Sequence, residues 1–187
     1  MVVLFNNIPI WFACALILTC IFNTVRSCTN IAEPLHRTES SGGDIHVSLQ
    51  LGRHIFKTNC LVCHQASGLG IPSRYPPLAG SEWVLAKGSH LEEHLILILL
   101  HGLQGPITVK GVTYNGYMSG WDHYLSDGEI AAVLSYIRME WGNLTTPITL
   151  ETVVTVRKNT PSRVQPWLWR ELQVISPRDW KHNVNKE

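Results

Sequence analysis

Residues Cys60-Leu61-Val62-Cys63-His64 form a C-x-x-C-H pentad. This spacing is the attachment signal for a c-type haem. Each thiol can add to one haem vinyl group, and the adjacent imidazole can reach the iron from the same turn of chain. Two other chemistries use the same cysteine spacing. A thioredoxin-like redox pair requires a surrounding βαβ pattern, which the neighbouring sequence lacks. A zinc site requires a second Cys/His pair at comparable spacing. Outside the N-terminal apolar segment there is no other close cysteine pair.

The five cysteines are Cys14, Cys20, Cys28, Cys60 and Cys63. An odd count rules out a complete disulfide framework within one chain. Cys14 and Cys20 fall in the uncharged stretch Ile8 to Phe22, where they read as small hydrophobes. Its 15 residues suit a signal-peptide core better than a membrane span of about 20. Val25-Arg26-Ser27 then precedes Cys28 in the manner of a weak bacterial lipoprotein signal. Three readings of residues 1–28 stay open: a lipid anchor on Cys28, simple cleaved export, and a retained N-terminal anchor. All three place the following domain outside the cytoplasmic membrane, in the periplasm, and the two anchored readings also make it membrane-associated. Attachment of c-type haem in bacteria happens on that side.

Residues 29–43 are polar, end in Ser-Ser-Gly-Gly, and read as a linker. Helical spacing begins near Asp44, where Leu49, Gly52, Ile55 and Phe56 share a face that runs into the pentad. Residues 65–89 are rich in Gly, Pro and Ser and predict a long loop. Leu91 to His101 predicts an apolar helix stopped by Gly102. Ile107-Thr-Val and Val112-Thr-Tyr flank Lys110-Gly111 and predict a small hairpin. Ser126 and Glu129 make a capping box for a last helix with Ile130, Val133, Leu134 and Ile137 on its apolar stripe. The expected core domain is 44–142, about a hundred residues, and 143–187 is a C-terminal extension. The expected fold class is all-α: three to four helices with long loops around one covalent haem, and a small hairpin before the loop of the distal ligand.

Charge is nearly balanced at +1 over 187 residues, so nothing argues for nucleic acid as a partner. Residues 44–142 carry a net −2 and residues 143–187 a net +3. The basic tail is a solvated end or a guide for an acidic partner. No P-loop, dinucleotide fingerprint or H-E-x-x-H motif is present. Glu92, Glu93 and Asp122 have no arrangement that marks them as catalytic, so no residue is singled out as catalytic.

Haem iron in electron-transfer proteins is commonly held by His and Met. The methionines are Met1, Met118 and Met139. Met118 lies in the Gly-rich turn Tyr114-Asn-Gly-Tyr-Met118-Ser-Gly-Trp121, which can present sulfur to an open iron face. Met139 sits on the last helix, where packing is its natural role. Among the other histidines, His101 and His123 are the rivals for the second ligand, being close to the helix end and to the Met118 turn. His54 lies on the polar side of the first helix, and His90 and His94 fit a solvated helix start.

An ordered set of segments over residues 48–142 resembles the class I c-type cytochromes. It comprises Gly52-Arg-His-Ile-Phe56, the pentad, Gly68-Leu-Gly70-Ile-Pro72 through Tyr75-Pro76-Pro77-Leu78-Ala-Gly80, Tyr114-Asn-Gly116-Tyr-Met118, and Leu125 through Arg138. Within that family the chain is similar to the periplasmic modules beside bacterial dehydrogenases, nitrite reductases and oxidases. The resemblance implies thioether bonds at Cys60 and Cys63, a proximal bond from His64 and a distal bond from Met118. It implies that the Pro76 carbonyl accepts a hydrogen bond from the other ring nitrogen of His64, orienting the ring. It implies that Leu78 packs on the haem, and that Gly52 and Phe56 cross the last helix near Tyr136. Ser119 stands where the family usually has proline. The function so implied is one-electron transfer with a redox protein partner: a dehydrogenase, a reductase or a terminal oxidase. The alternatives are a haem enzyme or gas sensor with an open distal position, and a zinc-stabilised interaction module.

Overall fold

The structure, a computed structural model, describes residues 41–86, 89–160 and 163–174. The signal and anchor readings of residues 1–28, and most of the expected linker, lie outside these. The first helix, α1, is Ser41–Ile55 and so takes in Ser41, Gly42 and Gly43 from the end of that linker. It passes without a break through one π-type turn, Phe56–Cys60, into the short α2, Leu61–His64. The pentad is thus the end of one helical run. A single π turn inside such a run often marks a functional site.

α1 packs across the helix Asp127–Met139, which is α5 in chain order. The crossing is set by Gly52. A Cβ there would lie 2.1 Å from the Ala132 carbonyl oxygen and 2.8 Å from Tyr136 Cβ. Beyond the crossing, the Phe56 ring sits 5.6 Å from Tyr136 and 5.1 Å from Trp141, centroid to centroid. The start of α5 is the expected capping box, with Ser126 Oγ accepting from the Glu129 N–H and the Glu129 carboxylate accepting from the Ser126 N–H.

Between these two helices come α3, Glu82–Leu85, and α4, Ser89–His101. Two antiparallel strands follow, β1 (Gly102–Val109) and β2 (Val112–Ser119). Lys110 and Gly111 both have positive φ, the geometry of a tight primed hairpin turn. After α5 the chain forms α6, Leu150–Asn159, the two-residue strand β3, Trp167–Leu168, and α7, Trp169–Val174. β3 pairs parallel with β1, which gives a three-stranded sheet in the order β2-β1-β3.

The fold is helical, as expected, with a small three-stranded sheet where the expectation had a hairpin alone. Among the described residues up to 142, the span of the expected three to four helices, there are five α-helices, two of them single turns of four residues. The strands outrun the expected hairpin because Gly102, Gly105, Pro106, Gly116 and Gly120 lower the strand signal of the sequence on both sides of the turn. Met118 consequently lies in β2, not in a loop.

The core continues past residue 142. Ile148, Val153, Val156, Trp167 and Leu172 are all buried in it. Arg138, on α5, is wholly buried and makes use of all three of its nitrogens. Nε donates to the Thr146 carbonyl at 2.7 Å, Nη1 to the Val84 and Ala86 carbonyls, and Nη2 to the Glu92 carboxylate at 2.9 Å. One guanidinium thus ties α3, α4, α5 and the start of the extension together. Burial pulls its pKa down and Glu92 opposes that shift.

Gly52→Ala tests the helix crossing. Alanine in a helix interior gains up to about 1 kcal/mol over glycine. Forcing a methyl against a backbone oxygen costs about 1–3 kcal/mol. The net outcome expected in a denaturant titration is a loss of stability. An increase would mean that α1 and α5 are farther apart than described.

Candidate haem site

The pentad is followed by a loop that turns back on itself. The Gly70 N–H donates to the His64 carbonyl at 3.0 Å. Ile71 and Tyr75 exchange backbone hydrogen bonds, at 2.9 Å from the Ile71 N–H and 2.8 Å from the Tyr75 N–H. Gly70 has φ +64°, and a Cβ there would lie 2.2 Å from the Tyr75 carbonyl oxygen. The Leu78 and Ala79 N–H groups both donate to the Gly68 carbonyl. This folding brings Pro76 behind His64, with Nδ1 of the imidazole 3.0 Å from the Pro76 carbonyl oxygen. A carbonyl can only accept, so Nδ1 carries the proton. Burial lowers the His64 pKa, and the Pro76 hydrogen bond only partly opposes this. The ring is therefore neutral, with its lone pair on Nε2, the form that binds a metal.

Two adjoining clefts open in front of this ring, of about 200 Å³ and 100 Å³. Cys60, His64, Pro76, Leu103, Ile107 and Met118 line both. The outer cleft adds Cys63, Arg74, Tyr75, Tyr114, Tyr117 and Trp121. The inner one adds Pro77, Leu78, Val84, Leu99, Leu134 and Ile137, among others. Among the described residues no carboxylate lines either cleft, and Arg74 is the only Lys or Arg on the walls.

These walls fit a haem. The greasy inner cleft suits a macrocycle, two thiols stand ready for thioether bonds, and an imidazole nitrogen and a thioether sulfur lie on shared walls. The same residues do not fit the other two chemistries of the pentad. Among the described residues, no three or more His, Cys, Asp or Glu side chains come together as a metal site. Burial, helped by neighbouring Cys63, pushes the Cys60 thiol up to about 11. A redox-active dithiol needs the opposite shift, since the thiolate is the reactive form.

The histidine rivals of Met118 lie away from the cleft walls. His101 is half-buried and meets the Trp167 ring edge-on at 6.2 Å. His123 is exposed beside Asp122 at 3.5 Å. Neither lines either cleft, and nor does Met139, which is partly exposed on α5. His36 and His182, like Met1, lie outside the described residues.

A family profile for cytochrome c matches residues 49–141. The chain is also 46% identical over 112 residues to cytochrome c-552 of Thermus thermophilus, covering 56% of this chain and 85% of that protein. The chain belongs to the cytochrome c family. Matches extend to parts of larger proteins. A nicotinate dehydrogenase subunit of Pseudomonas putida is 37% identical over 99 residues, 51% of this chain and 8% of that protein. The cytochrome c subunit of the quinone alcohol dehydrogenase of Gluconobacter oxydans is 30% identical over 95 residues, 49% of this chain and 18% of that protein. Membership gives the cofactor: a covalently bound haem c at Cys60 and Cys63. It gives the coarse activity as well, electron transfer by that haem, with the chain acting as carrier.

Some supporting residues carry no mark in the sequence. Asn143 is fully buried. Its Oδ1 accepts from the Gly80 N–H at 2.8 Å, and its Nδ2 donates to the Leu78 and Ile137 carbonyls. It thereby closes the loop that forms the haem wall onto the end of α5. Trp141 caps the same loop from outside, with Nε1 donating to the Ala66 carbonyl at 2.9 Å. Leu103 and Ile107 line both clefts, and their alternation is readable in the sequence once β1 is known to be a strand.

The double variant Cys60→Ala, Cys63→Ala tests attachment. After denaturing electrophoresis the parent chain is expected to keep its haem stain and the double variant to lose it completely. A stain that survives in the double variant would place the covalent bond elsewhere.

Proposed function

We propose that the haem iron is held by His64 and Met118 and passes single electrons to or from a redox enzyme outside the cytoplasmic membrane. The observation that carries this reading is that both side chains line the walls shared by the two clefts. An imidazole and a thioether together fill the axial positions and leave none for a substrate. The thioether is a soft ligand that favours ferrous iron and raises the reduction potential. On the proximal side, the Pro76 carbonyl fixes the ring of His64 and makes it a better donor. On the haem's flank, Leu78 in the inner cleft would keep water from the macrocycle.

The chain's residues otherwise serve to bind and exclude. Tyr117, exposed to solvent at the outer cleft, and Arg74 on its wall form the open side toward a partner. A carrier needs only a small and transient interface there. Relatives named as dehydrogenase subunits support a dehydrogenase as the partner, ahead of a reductase or a terminal oxidase. The apolar segment Ile8 to Phe22 supports export, with the domain tethered in the periplasm by its N-terminus. Among the described residues no helix is long and apolar enough to cross a membrane. In this arrangement residues 44–142 carry the haem and 143–187 form an extension to it.

Met118→His is expected to keep the covalent haem but lower the reduction potential by a sizeable part of the roughly 0.8 V range that axial ligands span. The reduced parent protein is expected to exclude carbon monoxide, whereas Met118→Ala binds it rapidly. Rapid carbon monoxide binding by the parent would instead establish an open distal site, as in a haem enzyme or a gas sensor.

A further inference from the structure

The third strand of the sheet comes from the extension beyond residue 142. Trp167 and Leu168 pair with Leu103 and Gln104 on one side of β1. On the other side of β1, Leu103 lies opposite Met118 and Gly102 opposite Ser119. Met118, Leu103 and Trp167 thus form a single row across three strands. β2 is an outer strand, so β1 is the sheet neighbour through which Met118 is placed. The pairing at this end is close: a Cβ on Gly102 would sit 2.3 Å from the Met118 carbonyl oxygen.

The far end of the row is firmly held. Trp167 is 1% exposed. The Arg163 guanidinium lies 3.9 Å from the centroid of the Trp167 ring and donates to the Glu171 carboxylate at 2.7 Å. The same carboxylate oxygen accepts from the Leu168 N–H at 2.8 Å. Leu172, one residue on, is fully buried. A two-stranded hairpin is marginally stable by itself, and a third strand with buried packing stabilises it. An iron–thioether bond is a soft contact that a competing ligand takes over when the strand carrying it moves away. The fraction of time the strand is away sets how fast such a ligand enters.

We propose that residues 163–174 act as a positioning element for the distal iron ligand, with Trp167 as the positioning residue. By pairing with β1 they fix the strand that carries Met118 and keep the iron closed to competing ligands. This inference rests on Met118 being the distal ligand.

The test uses the full haem-loaded chain and imidazole as the competing ligand. The ferric protein is followed by its near-infrared iron–thioether absorption and by the rate of imidazole entry, with the melting temperature measured in parallel. Trp167→Ala is expected to speed entry about tenfold or more, by raising the open fraction. Arg163→Gln, a milder change that keeps Trp167 but removes the cation over its ring and the tie to Glu171, is expected to speed it several-fold. Val153→Ala, a buried change on α6 outside the row, lowers the melting temperature without changing the entry rate. If Trp167→Ala does not fold, Arg163→Gln decides. An entry rate equal to that of the parent in the folded variants would overturn the proposal and leave the extension a purely stabilising role. Met118→Ala separates the two readings. If it abolishes the absorption while the Trp167 and Arg163 variants behave as the parent, only the positioning role fails. If the absorption survives Met118→Ala, the ligand assignment fails and takes the positioning role with it.

Discussion

The hydrogen bond from His64 Nδ1 to the Pro76 carbonyl, 3.0 Å long, is the contact on which the rest of the site depends. It decides which ring nitrogen keeps a lone pair. It also closes the loop from residue 65 to residue 75 into a wall. The bond is worth more than the roughly 0.5–1.5 kcal/mol of an ordinary exchange with water, because breaking it leaves a polar ring stranded in an apolar cleft. Everything near it serves to hold the two partners in place. Gly70 allows the tight return, and Asn143 fastens the end of the loop to α5. Trp141 covers the outside.

Opposite this proximal wall the protein uses a different device. His64 is on a helical run whose position is fixed by the α1–α5 crossing at Gly52. Met118 sits on an outer strand with no helix of its own. Its hairpin is held at the tip, where the Lys110 N–H meets the Glu82 carboxylate, and where Trp83 Nε1 donates to the Thr108 carbonyl. It is held at the base by the backbone contact at Gly102. The two faces of the haem cavity are therefore built from elements of unequal stiffness, one a pair of helices and the other a braced ribbon.

Much of this is legible in the sequence, and the unread part has physical causes. The pentad, the capping box at Ser126 and the apolar stripe of α5 are local signals, and each maps onto its element. The interval of twelve residues from His64 to Pro76 is readable only through resemblance, since nothing local announces a long-range hydrogen bond. The full extent of the sheet is hidden because glycines and a proline mask the alternation of Leu103, Gly105 and Ile107. Asn143, Arg138 and Trp167 act through contacts with residues far along the chain, such as Gly80, Val84 and Leu103. Their type and spacing alone do not say which residues they touch. The His64–Met118 ligand pair is a further step, resting on two side chains that share cleft walls.

The burial of Cys60 has a consequence for how the holoprotein comes to be made. With its pKa at about 11, only on the order of one thiol in ten thousand is thiolate at neutral pH. As the attacking partner in a Cys60–Cys63 disulfide, Cys60 is therefore slow while it stays buried. The same scarcity slows nucleophilic attack on anything else. For Cys60, loading is thus a matter of timing: its thiol is more open to reaction before the chain has closed around it.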